Sequence, residues 1–246
     1  MTELWMAYHS IEAWQDPSLW AGFWGGAASV FASPLTHLDV NAPVRRKVVS
    51  LAEAGNFACD FKAHEDSRWL FGKFAGIGVR FSVQYCRRQL GDRDFPNTFT
   101  WHLPMSFVQK LQSGQRLKAL FGLGNGTFKP FYAYSDDVAS IACKKKSFGA
   151  VNIQAELLGV FWLTYFNAAY VSFLGNDKFN GISNLEYDSE GGVTIILGDG
   201  PESVTNQVRE EAVAALGKES FVNPSDILGK RPGEFALTFQ QLLARR

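Results

Sequence analysis

Residues 161–217 constrain the fold of this chain more than any other stretch. The aromatic run Phe161-Trp162-Leu163-Thr164-Tyr165-Phe166-Asn167 reads as a strand over Phe161 to Phe166. Ala168 to Leu174 then reads as a helical turn or helix. Leu185-Glu186-Tyr187 and Val193-Thr194-Ile195-Ile196-Leu197 flank Asp188-Ser189-Glu190-Gly191-Gly192 as a hairpin, with Val193, Ile195 and Leu197 on one face. Gly198-Asp199-Gly200-Pro201 leads into a helix from about Glu202, with Val204, Val208, Ala212, Ala215 and Leu216 as its apolar stripe. Gly217 suits the left-handed cap that ends it. The stretch is well built for folding and carries no recognisable chemistry.

The preceding residues mix the same kinds of element. Leu4 to His9 reads as a short strand. Asp16-Pro17 has the N-cap and first-turn residues of a helix carrying Trp20, Phe23, Trp24 and Ala27 on one side. Ala42-Pro43 opens an expected second helix with Val44, Val48, Leu51 and Ala52 as its stripe and Gly55 as its stop. Ile77, Val79, Phe81, Val83 and Tyr85 alternate with smaller or polar residues, the period of a half-buried strand, and Thr98 to Leu103 returns beside it after the turn at residues 91–97. Ser106 to Phe121 looks helical with a break at Ser113-Gly114. Gly122 to Lys129 reads as a loop, Phe131 to Tyr134 as a strand, and Glu234 to Arg246 as a last helix. Without a strict β-α-β-α alternation, a parallel doubly wound sheet is disfavoured. The expectation is an α+β fold, antiparallel sheets flanked by helices, in two subdomains spanning 1–120 and 121–246.

Composition narrows the function classes. The 246 residues are 46% hydrophobic, ample for a sizeable core. Lysine plus arginine and aspartate plus glutamate balance at 24 each, whereas a dedicated nucleic-acid binder usually shows a basic excess. The 21 Phe and 7 Trp point first to a large core and second to a partner surface. Three cysteines, Cys59, Cys86 and Cys143, make a poor disulfide framework, and no Cys/His spacing suits zinc. No apolar run approaches the ~20 residues that span a bilayer, and the N-terminus lacks a signal-peptide pattern. These features read as a soluble, cytoplasmic protein with no membrane partner.

The candidate chemistry is sparse. Gly122-Leu123-Gly124-Asn125-Gly126-Thr127 lacks the Gly-Lys-Ser/Thr ending of a phosphate loop and reads as a linker turn. His64-Glu65-Asp66 is the one dense titratable cluster. It would suit a general base if buried in a cleft, and a solvated loop is the favoured reading. Cys86, followed by Arg87-Arg88, reads as a half-buried structural thiol. Lys144-Lys145-Lys146 reads as an exposed loop, weak evidence for nucleic acid. Asp136 with Asp137, and Asp188 with Glu190, read as acidic turn residues that would serve as an electronegative patch facing a basic partner. No catalytic, cofactor-binding or metal-binding residue is assigned.

The order of segments resembles that of immunity proteins from bacterial polymorphic toxin systems. The resemblance is carried by Phe128-Lys129-Pro130-Phe131-Tyr132-Ala133-Tyr134-Ser135-Asp136, by Phe161 to Asn167 with Tyr170 and Gly175, and by Gly191-Gly192-Val193-Thr194-Ile195-Ile196-Leu197 with the following helix. It is strongest in the C-terminal half, looser around Ile77 to Leu103, and slight in the first 60 residues. The nearest group is the TsiT-like immunity proteins of type VI secretion, whose toxin partner has a restriction-endonuclease-type nuclease domain. The resemblance implies a non-enzymatic protein, without cofactor, that neutralises a cognate secreted toxin by binding it, and no direct contact with nucleic acid. It carries over no catalytic residue. Asp136, Asp137, Asp188 and Glu190 are the candidate partner contacts. An enzyme built around His64, Glu65 and Asp66 and a self-assembling adaptor are the alternatives.

Overall fold

The computed structural model describes residues 3–62, 65–86, 95–111, 114–144, 151–225 and 230–245. The chain divides into two units, Met1–Pro130 and Phe131–Arg246. Each joins antiparallel strands to helices, as expected for the α+β class.

The first unit runs β1 (Glu3–Ser10), α1 (Pro17–Phe31), β2 (Leu35–Asp39), α2 (Leu51–Cys59), β3 (Ser67–Phe74), β4 (Arg80–Cys86), β5 (Asn97–Pro104), α3 (Met105–Lys110) and α4 (Gly114–Phe128). Its strands lie in the order β2-β3-β4-β5-β1, each antiparallel to its neighbour. α1 begins where Asp16 accepts the Ser18 N–H at 2.8 Å, with Pro17 in the first turn. It buries Trp20, Phe23, Trp24, Ala27 and Phe31. These side chains meet the inward faces of the strands: Phe23 packs on Phe99, Trp24 on Phe81 and Phe31 on Trp101, with ring centroids 5.0, 5.9 and 5.3 Å apart. Each ring buried this way contributes roughly 2–3 kcal/mol of transfer free energy.

Two expected elements of this unit differ in the structure. The helix expected from Ala42-Pro43 begins only at Leu51. Ser50 is its N-cap, accepting the Glu53 N–H at 3.1 Å. Residues 40–50 form a loop with a cis Ala42–Pro43 bond, and Asp39 anchors it through the N–H groups of Asn41, Arg45 and Arg46. Gly55 is no stop. It sits inside α2 because a Cβ there would lie 3.1 Å from the Pro17 carbonyl carbon and closer still to its oxygen. Nor is Gly122 to Lys129 a loop. Gly122 to Phe128 is the second half of α4, where Gly124 is buried beneath the Tyr8 ring while Gly122 and Gly126 face solvent.

The second unit runs β6 (Tyr132–Asp137), α5 (Val138–Ala142), β7 (Leu163–Phe166), α6 (Ala168–Leu174), β8 (Leu185–Tyr187), β9 (Val193–Ile196), α7 (Asn206–Leu216) and α8 (Phe239–Leu243). Its strands lie in the order β6-β7-β9-β8, again antiparallel. The hairpin falls where the sequence placed it, with Tyr187 opposite Val193 and Gly191 at φ 84° in its turn. The following helix starts later than expected. Residues Pro201–Ser203 form a 3-10 turn, and Thr205 caps α7. The last helix is also shorter, opening at the capping box of Thr238 and Gln241.

Candidate functional site

Alternation along β3, β4, β5 and β1 sends one set of side chains into the aromatic core and the other to the opposite face. The strand registers then line the outward set up in rows. Lys73 stands opposite Arg80, Arg80 opposite His102, and His102 opposite Trp5. The next row holds Phe71, Ser82 and Thr100, and the next Trp69, Gln84 and Thr98. On the outer side of Lys73, β2 contributes His37, which is bridged in turn to Lys47 in the loop that Asp39 anchors.

Side-chain bonds order part of this face. Arg80 Nη2 donates to Glu3 Oε1 at 2.6 Å, and Trp5 Nε1 donates to Glu3 Oε2 at 3.2 Å. Ser82 Oγ and His102 Nε2 are 3.1 Å apart, and Trp5 meets the His102 ring edge-on at 5.2 Å. Burial pushes the Glu3 carboxyl up, and the Trp5 and Arg80 donors outweigh it and leave it below its ordinary value. Burial holds the His102 imidazole below its usual value, with Glu3 pulling the other way. Burial also lowers His37, helped by the charges of Lys73 and Lys47. Between the Pro43 loop and the sheet lies a cleft of about 530 Å³, lined among others by Val44, Phe71, Lys73, Ser82 and His102.

Ser82, His102 and Glu3 fall in the order of a nucleophile, a base and an acid, but the second link is not made. His102 Nδ1 is 3.9 Å from Glu3 Oε2, beyond a hydrogen bond, and Arg80 already neutralises that carboxylate. The arrangement is suited to binding. It offers donors, cations and flat apolar rings. Trp69 is 47% exposed and stacks on Phe71 with planes 9° apart and centroids 6.1 Å apart.

The four acids expected to form one patch do not come together. Asp136 is fully buried, which corrects its assignment as a surface contact. Its carboxylate accepts from Arg209 Nε and Nη2, each at 2.8 Å, and from the N–H groups of Trp162 at 3.0 Å and Asp137 at 2.8 Å. Burial outweighs these donors and pushes its carboxyl up from the ordinary value. Asp137 caps α5 through the N–H groups of Ala139 and Ser140. Asp188 organises the hairpin turn, accepting the Tyr165 hydroxyl, the Glu190 N–H and the Gly192 N–H, each at 2.8 Å. Glu190 is exposed beside it. Asp136 and Asp137 end β6, whereas the turn lies beyond Val193, which pairs with Phe166 opposite the other end of that strand. The two groups are therefore separated by about 15 Å along the strand direction at ~3.3 Å per residue, and by the width of β7 across it.

His64 lies outside the described residues, so the His64-Glu65-Asp66 cluster is described only in part. Glu65 accepts the Lys62 N–H and lies 3.4 Å from Arg68 Nη1. Arg87, Arg88, Lys145 and Lys146 also lie outside, while Cys86 is buried and Lys144 pairs with Glu210. Among the described residues no group of three His, Cys, Asp or Glu side chains is placed to hold a metal, and no helix is long and apolar enough to cross a membrane.

No family model and no curated protein matches the sequence. Among solved structures the chain is similar to a Pseudomonas aeruginosa T6SS protein, PA0821. The likeness has a TM-score of 0.62 at 13% identity and covers 96% of this chain and 80% of that one. It shows a shared fold running through both units.

Proposed function

We propose that this chain is an immunity protein that neutralises a cognate secreted toxin by non-covalent binding in the cytoplasm, and that the toxin is a nuclease effector of type VI secretion. The observation that carries the reading is the fold shared over 96% of the chain with a T6SS protein. The resemblance of the C-terminal half to TsiT-like immunity proteins supports it independently. In this role the chain needs no cofactor and makes or breaks no covalent bond. It buries a patch of about 800 Å² per partner, in which a few aromatic or charged anchors supply most of the affinity. The exposed face of the first unit offers anchors of both kinds. The test is co-expression with the toxic product of the neighbouring gene. Restored growth, with the two proteins co-purifying, supports the proposal. Continued toxicity with no complex overturns it.

A further inference from the structure

We infer that the partner docks on the exposed sheet face of the first unit, and that the docking segment is acidic. This rests on the immunity reading above and adds the surface and the charge of what it takes. Lys47, His37, Lys73, Arg80 and His102 form one continuous row across a loop and four strands, each opposite the next. Like-charged side chains facing each other across strands destabilise a sheet. Lys73 and Arg80 face each other in this way, so the fold alone gives no reason for that pair.

The acids around the row compensate Arg80 alone. Glu3 pairs with Arg80. Asp39 is occupied by three backbone N–H groups, and Glu53 by Arg46 and the Val49 N–H. Lys47 and Lys73 make no ion pair among the described residues. In a chain whose 24 basic and 24 acidic residues cancel, Lys47 and Lys73, on either side of His37, make a local positive patch. On β3, Phe71 stands in the next row and the exposed Trp69, stacked on it, in the row after. Trp is the residue most often found as an energetic anchor, and cations around it speed the approach of an opposite charge. An acidic protein segment with an apolar side chain matches the pair: carboxylates on Lys47 and Lys73, the apolar group on Trp69.

The experiment measures binding of the neighbouring toxin to wild type, Trp69→Ala and the double variant Lys47→Glu/Lys73→Glu by surface plasmon resonance at two salt concentrations. Circular dichroism verifies that each variant is folded. Trp69→Ala is expected to weaken binding about 30-fold, through faster dissociation. The double reversal is expected to slow association about tenfold at low salt, with the difference shrinking at high salt. Wild-type binding that neither variant changes overturns the docking face and leaves the immunity reading standing. Absence of wild-type binding overturns the immunity reading. In that case a fluorescein-labelled polyglutamate peptide and a labelled oligo-dT of equal length are titrated at low salt. Peptide binding lost in the double variant supports an acidic protein ligand, whereas preferential binding of oligo-dT, or of neither probe, overturns it.

Discussion

Three glycines of α4 put opposite signs on the same substitution. Replacing Gly by Ala inside a helix is worth up to ~1 kcal/mol when the methyl has room. At Gly122 and Gly126 an added Cβ meets nothing within 4 Å. Gly122→Ala should therefore stabilise by about 1 kcal/mol, and Gly126→Ala by about half that, since α4 ends two residues later at Phe128. At Gly124 the same methyl would come within 2.6 Å of the Tyr8 hydroxyl oxygen and nearer still to its ring. Tyr8 has nowhere to go: it is fully buried, with Phe99, Phe121 and Phe128 at centroid distances of 6.2, 5.6 and 5.8 Å. Overpacking of this kind costs ~1–3 kcal/mol, so the helix gain is cancelled or reversed, and Gly122→Ala and Gly124→Ala should differ by about 1–3 kcal/mol. Urea unfolding followed by Trp fluorescence reads the difference. If Gly124→Ala raises the midpoint as far as Gly122→Ala does, α4 does not pack against Tyr8 at this position.

Other perturbations test other parts of the structure. Arg209→Met leaves Asp136 as an uncompensated buried charge and should destabilise the chain by about 3–5 kcal/mol, most of it recovered in Asp136→Leu/Arg209→Met; equal stability of the single variant and wild type in urea would refute the buried pair. Burial lowers the His9 imidazole to about 4. The unfolded chain then takes up a proton between pH 6.5 and 4 that the folded chain refuses, so this contribution is present above pH 6.5 and lost as pH falls through that window. His9→Gln should flatten the acid limb of the melting-temperature profile, and an unchanged slope would count against it. Asp188→Ala removes three hydrogen bonds from the hairpin turn and should cost about 1–2 kcal/mol without lowering toxin affinity; a large loss of affinity in a folded variant would restore the hairpin acids as partner contacts.

How much was legible in the sequence depended on whether a residue's partner is near it in the chain. α1 could be read because its cap, its Pro17 and its stripe of Trp20, Phe23, Trp24 and Ala27 are all local signals, and all four side chains are buried as expected. β3 was missed because both of its faces are aromatic. Leu70 and Phe74 point inward while Trp69 and Phe71 point outward, so hydropathy does not alternate along it. With β3 missing, the row running from Lys47 to His102 had no strand to pass through and stayed invisible. The glycine run of α4 looked like a turn because Gly124 is selected by Tyr8, 116 positions away in sequence. Arg209 lay on the apolar stripe of α7 without marking it as special. Only the fold shows that its guanidinium meets Asp136, which the local sequence reads as an acidic turn residue.

The stoichiometry of protection separates a binding protein from a catalyst most directly. Purified toxin is mixed with increasing amounts of this chain, and residual toxin activity is read at each ratio. If the chain works by occupying the toxin, activity should fall linearly and reach zero near one copy per toxin, with the complex recovered intact by size exclusion. Full protection by a small fraction of an equivalent, with the toxin left chemically altered, would contradict that reading.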